Sequence, residues 1–128
     1  MSIEAIEYTV RSTNLQADAD FYCGFLGFEF EIDLIMGTGE RKIALRSKAW
    51  PAFKIRFALN PGLYRSDPGM DLPALCLRMD DLQALRARLE TAGVAMFGVS
   101  DHPYGSWVKV RDPSGNAITL SQHYHSET

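Results

Sequence analysis

Between Ile3 and Val10 the chain alternates: Ile6, Tyr8 and Val10 fall on one side and Glu7 and Thr9 on the other, the two-residue period of a half-buried strand. Asn14 then offers a helix N-cap. Leu15, Ala19, Tyr22 and Leu26 recur at helical spacing, and Gly27 stands where a left-handed C-terminal cap fits, so the spacing predicts a short amphipathic helix. Alternation resumes from Phe28 to Leu34, with Phe28, Phe30 and Ile32 set against Glu29, Glu31 and Asp33. Met36-Gly37-Thr38-Gly39 interrupts it, and strands are expected at Lys42 to Arg46 and Phe53 to Leu59.

Asn60 to Asp71 holds Pro61, Gly62, Pro68 and Gly69 among polar residues and reads as a connector. The pattern then restarts. Leu75, Leu77 and Met79 alternate with Cys76 and Arg78; Asp81 caps a helix lined by Leu82, Leu85 and Leu89; Gly93 ends it. Val94 to Val99 is extended. Trp107 to Val110 and Ala117 to Ser121 form a closing hairpin around Asp112-Pro113-Ser114-Gly115-Asn116, where proline presets its own φ and glycine tolerates a positive one.

The order strand, helix, strand, strand, strand thus occurs twice, in modules of about 1–60 and 72–124 joined by a connector at 61–71 within a single domain. Leu15-Gln16-Ala17 and Leu82-Gln83-Ala84 open the two helices at an offset of 67, which pairs Glu7 with Ala74 on the opening strands. If each helix covers one face of its sheet, the opposite faces are left to form a shared concave surface where a ligand binds. By parity that surface takes Glu7 and Thr9, then Lys54, Arg56 and Ala58, then Ala74 and Cys76, and finally Trp107, Lys109, Thr119 and Ser121, with Arg46 beside them.

Composition narrows the function. With 128 residues, 46% hydrophobic and 23% charged, the chain can build one core but no separate cofactor lobe. Thirteen Lys and Arg against sixteen Asp and Glu give a net charge of -3, without the basic excess that a phosphate backbone demands, so nucleic acid is not the expected partner. No apolar run approaches bilayer length, and Glu4 and Glu7 lie where a signal peptide needs a basic start; no membrane partner and a cytoplasmic location are expected. Cys23 and Cys76 lack metal or redox spacing and are expected as buried, reduced thiols.

Asp20-Phe21-Tyr22 followed by Phe25-Leu26-Gly27-Phe28, with Gly105-Ser106-Trp107-Val108 leading into Asp112-Pro113-Ser114-Gly115-Asn116, resembles the signature segments of the vicinal-oxygen-chelate superfamily. That superfamily comprises glyoxalase I, bleomycin-resistance proteins, fosfomycin-resistance enzymes and extradiol dioxygenases. The resemblance runs through nearly the whole chain. It implies an α+β fold of two paired βαβββ modules, a curled mixed-sheet cup with helices on its outer face, within a homodimer. It also implies a divalent metal held from the first and last strands of each module, at positions that fall here on Glu7, Arg56, Ala74 and Thr119. Only Glu7 among them is a good cation ligand; Arg56 is a permanent cation, Ala74 has no donor and Thr119 offers a neutral hydroxyl.

What remains is polar and aromatic. Glu7 and Arg56 are expected to meet as an ion pair, either a brace between strands or part of a ligand site. Lys54, Lys109 and Arg46 would bias the cup towards positive potential and a carboxylate, phosphate or polar ring; the alternative is a solvated sheet face. Trp107 either stacks on a planar ligand or fills a gap by the hairpin, with Tyr104 on the adjoining loop, and Trp50 and Tyr64 would close the rim or form an interface. His102 lies in a loop, and His123 and His125 are expected in a solvated tail near the terminus. The expected function is metal-free binding of a small polar or anionic molecule by Glu7, Lys54, Arg56, Tyr104, Trp107, Lys109 and Thr119, with no cofactor. The alternatives are an enzyme of the same fold, metal-dependent or with Glu7 as general base, and a protein whose dimer is its function.

Overall fold

The structure is a computed structural model and describes residues 2–59 and 75–124. Contacts divide the chain into two compact units, Met1–Ser66 and Asp67–Thr128. The first contains β1 (Ile6–Arg11), α1 (Leu15–Phe25), β2 (Phe28–Ile35), β3 (Arg41–Ser47) and β4 (Phe53–Ala58), in a sheet of order β1-β4-β3-β2. The second contains β5 (Leu75–Arg78), α2 (Leu82–Thr91), β6 (Met96–His102), β7 (Gly105–Arg111) and β8 (Ala117–His123), in the order β5-β8-β7-β6. In each sheet the first strand runs parallel to the last and the other pairs are antiparallel. The repeat read from the sequence is therefore a repeat of topology, and the fold is α+β with two βαβββ modules.

Local chemistry accounts for the helices. Asn14 and Asp81 each accept a hydrogen bond from the backbone N–H three residues on, at 3.1 Å in both cases, satisfying a donor that the helix itself leaves open. Both helices stop two residues before a glycine in the left-handed region, Gly27 at φ 77° and Gly93 at φ 76°. On α1, Ala19, Phe21 and Tyr22 are buried, and the Tyr22 ring meets Phe28 and Phe57 edge-on at 5.9 Å. Val10, Ile43, Leu45 and Ile55 complete that core. In the second unit Leu82, Leu85 and Leu89 on α2 are buried, as are Val108, Val110, Ile118 and Leu120 on β7 and β8.

Three details depart from the pattern read along the chain. β1 starts at Ile6, leaving Ile3 at 84% exposure. β2 carries a bulge: Phe30 pairs with Leu45 but Ile32 with Ala44, so Glu31 is an extra residue against β3. Beyond it Ile32 and Leu34 lie on the opposite face from the one that strict alternation assigns, since one added residue exchanges the faces of all that follow. β6 runs later than expected, to His102, and its pairing with β7 slips between Phe97 and Ser100, where Gly98 adopts φ 58°.

Two buried carboxylates also escaped the sequence pattern. Asp18, on the buried side of α1, accepts a hydrogen bond from the Ser12 hydroxyl, and both residues are almost fully enclosed. Asp112 organises the β7–β8 turn by accepting from the Asn116 backbone N–H at 2.8 Å and its side-chain amide at 2.9 Å.

Candidate functional site

In the first unit, strand register sets the polar face opposite α1. Glu7 pairs with Lys54 and Thr9 with Arg56 across β1 and β4, Arg56 pairs with Ala44 and Lys54 with Arg46 across β4 and β3, and Arg46 pairs with Glu29 on β2. Cross-strand partners share a face and diagonal neighbours lie within reach of long side chains. Arg56 leans along that diagonal, placing Nη1 3.4 Å from Glu7 Oε2, with both side chains about half exposed at 54% and 51%. Lys54 Nζ donates to Glu31, and Arg46 Nε donates to Glu29 at 2.9 Å.

Each cation expected on this face thus has a carboxylate partner. Glu29 and Glu31 were assigned to the exposed side of β2 by alternation, but nothing in the linear pattern set them opposite Arg46 and Lys54; the strand order and the bulge do that. The positive bias expected of Lys54 and Arg46 is consequently cancelled locally. At the end of this sheet a cavity of about 200 Å³ opens beside Arg56, with Leu15, Met36, Ala44, Phe57 and Leu59 in its lining. Sites for drug-sized ligands run to roughly 300–1,000 Å³, so this cavity holds only a fragment-sized group.

In the second unit the face opposite α2 is organised in rows. Phe97, Lys109, Thr119 and Cys76 form one row across β6, β7, β8 and β5; Ser100, Trp107, Ser121 and Arg78 form the next; His102, Gly105 and His123 form a third. Among the described residues Lys109 has no ion-pair partner. The Trp107 ring centre lies 5.8 Å from His102, 5.7 Å from Tyr104 and 5.6 Å from His123, and His102 stacks flat on Tyr104 at 5.0 Å. Tyr104, in the β6–β7 turn, is 63% exposed. His123 is therefore the exposed last residue of β8 and a neighbour of Trp107, where a terminal tail was expected. The helix-side surface of these strands carries a separate group: Asp101 takes a hydrogen bond from Arg86 at 2.9 Å, and the Ser106 hydroxyl, then Arg86, hold its carboxyl below the usual carboxylate range.

Elsewhere the expectations divide. Trp50 stacks on Phe53 with ring centres 5.9 Å apart and remains 55% exposed. Both cysteines are free, but Cys76 is exposed and Cys23 half-buried, correcting the expectation of two buried thiols; burial first, and the Asp20 carboxylate second, push the Cys23 thiol up. Tyr64, Ala74, His125 and the connector at 61–71 lie outside the described residues.

Of the family's metal positions that are described, Glu7 already faces a guanidinium, Arg56 is that guanidinium and Thr119 is a hydroxyl in a row with Lys109. Among the described residues no group of three or more His, Cys, Asp or Glu is placed to hold a metal ion. No helix among them is long and apolar enough to cross a membrane.

The family model for the Glyoxalase/Bleomycin resistance protein/Dioxygenase superfamily matches residues 5–120. Among solved structures, the chain is similar to TnmS3, an antibiotic binding protein from Streptomyces sp. CB03234, at 28% identity over 94% of this chain and 95% of that one, with a TM-score of 0.73. A glyoxalase/bleomycin resistance protein from the same organism gives 29% identity over 91% and 97%, with a TM-score of 0.68. Lactoylglutathione lyase from Agrobacterium tumefaciens, 19% identical over 91% of each chain with a TM-score of 0.65, shares the fold. No curated protein matches.

Proposed function

Since the chain belongs to the Glyoxalase/Bleomycin resistance protein/Dioxygenase superfamily, we propose that it binds a small planar organic molecule bearing polar or anionic groups, and does so without a metal. The observation that carries this reading is Arg56, a permanent cation bonded to Glu7, at a position where the family resemblance implies a metal ligand. A guanidinium there favours a ligand oxygen over a cation. On the second unit Trp107 supplies an aromatic surface bordered by Tyr104, Lys109 a positive charge with no ion-pair partner among the described residues, and Thr119 a neutral hydroxyl; on the first, Lys54 borders the polar face that carries Arg56. The similarity to an antibiotic binding protein supports a binding role over a catalytic one. A homodimer, as family membership suggests, belongs to the same proposal; sedimentation at micromolar concentration is expected to give twice the chain mass.

A ligand-observed NMR screen of aromatic carboxylates and sulfonates tests the reading. Hits are expected whose affinity falls at least about tenfold, or ~1.4 kcal/mol, in Trp107→Ala or in Arg56→Ala, according to which of the two faces takes the ligand. Arg56→Ala suits this test because half-exposed ion pairs contribute only ~0–1 kcal/mol to stability, so the variant stays folded. Ligands that bind both variants as tightly as the unmodified protein would overturn the site.

A further inference from the structure

Gly105 is the middle residue of a row that runs His102 on β6, Gly105 on β7, His123 on β8. Trp107 lies two residues along the same strand, on the same face. A Cβ built on Gly105 would stand 3.0 Å and 3.3 Å from two carbons of the Trp107 six-membered ring and 2.8 Å from the Gln122 carbonyl oxygen. The indole therefore folds back along β7 and occupies the place that a side chain at 105 would fill. There it touches an imidazole on either side, at 5.8 Å and 5.6 Å, with Tyr104 at 5.7 Å. The neighbouring row repeats the device. Gly98, in the left-handed region at φ 58°, leaves room for the Lys109 stem, whose nearest carbon would lie 3.2 Å from a Cβ at that position.

We propose that Gly105 is a positioning residue for Trp107: by leaving the centre of the His102–Gly105–His123 row without a side chain, it lets the indole fold back along β7 over that place, bordered by two imidazoles, as the surface on which a planar ligand rests. Gly98 does the same for the stem of Lys109. His102 and His123 thereby become edge groups of the binding surface, a role that neither the loop position of one nor the near-terminal position of the other indicated. The part played by ligand rests on the binding function proposed above; the placement of the ring does not.

The test has one arm for each. In the unmodified protein, NMR should find a Gly105 Hα resonance displaced by the indole ring current, a displacement that disappears in Trp107→Leu; a resonance unaffected by Trp107→Leu would overturn the proposal without requiring any glycine variant to fold. The second arm titrates anilinonaphthalene sulfonate, a planar anionic probe, against Gly105→Ala, with Gly98→Ala as the comparison. Gly105→Ala should lose at least about tenfold in probe affinity, while the Gly105 environment in Gly98→Ala keeps its ring-current shift. Probe affinity unchanged in a folded Gly105→Ala would overturn the claim that the ring so placed is the ligand surface. If the unmodified protein does not bind the probe at all, the binding function fails and the ring-current arm still decides the placement.

Discussion

Arg56 and Glu7 illustrate what single residues contribute to the account. Their meeting followed from two strand parities, because parity places both side chains on the face opposite the helix and a diagonal contact needs nothing more. The partners of Lys54 and Arg46 were not legible in that way, since they depend on the register of β2 against β3. Buried groups were hidden for another reason: Asp18 occupies a helix position that composition reads as exposed, yet it is enclosed with Ser12. Ser12→Ala removes a donor from an enclosed carboxylate and is expected to cost about 1–3 kcal/mol in urea unfolding, against about zero for a surface serine. Asp101 gives a pH prediction. Its carboxyl is held low, so its contribution to stability is present above the ordinary carboxylate range and is lost as pH falls through the lowered value of the folded state. Ser106→Ala should move the Asp101 midpoint up, read by carboxyl-carbon NMR titration; an unmoved midpoint would remove Ser106 as the principal cause.

Helices were the most legible elements and β2 the least. Caps are local chemistry: Asn14, Asp81, Gly27 and Gly93 do in the structure what their types and spacing suggest. Asp81→Ala is accordingly expected to lower stability by about 1 kcal/mol. A bulge, in contrast, is one residue of slippage between two strands, and neither strand records it alone. Glu31 is that residue, and it also holds Lys54. Deleting it would close the ladder with Ile32 still opposite Ala44 and leave Lys54 without this partner. The deletion should therefore unfold at about the same urea as Glu31→Gln, which keeps the bulge and weakens only the ion pair. A markedly lower midpoint for the deletion would show that the bulge itself supports the sheet. Gly98 in β6 marks a second slip, and its conformation is one that L side chains rarely adopt.

At the scale of the whole chain, the repeat at an offset of 67 proved to be a repeat of strand order, helix caps and helix placement in two units. The chemistry on the two sheets is not repeated. The first presents paired charges, Glu7 with Arg56, Glu29 with Arg46 and Glu31 with Lys54; the second presents an aromatic group around Trp107 and a lysine with no ion-pair partner among the described residues. A net charge of -3 does not describe either face, which is why composition argues against a phosphate backbone but could not specify a ligand. The central claim is that this family member binds its ligand without a metal, and calorimetric titration of anilinonaphthalene sulfonate into protein freed of metal with a chelator tests it most directly. Saturable binding with one affinity, unchanged when a divalent cation is restored, is the predicted result. Binding that appears only after the cation is added, or in neither condition, would contradict the claim.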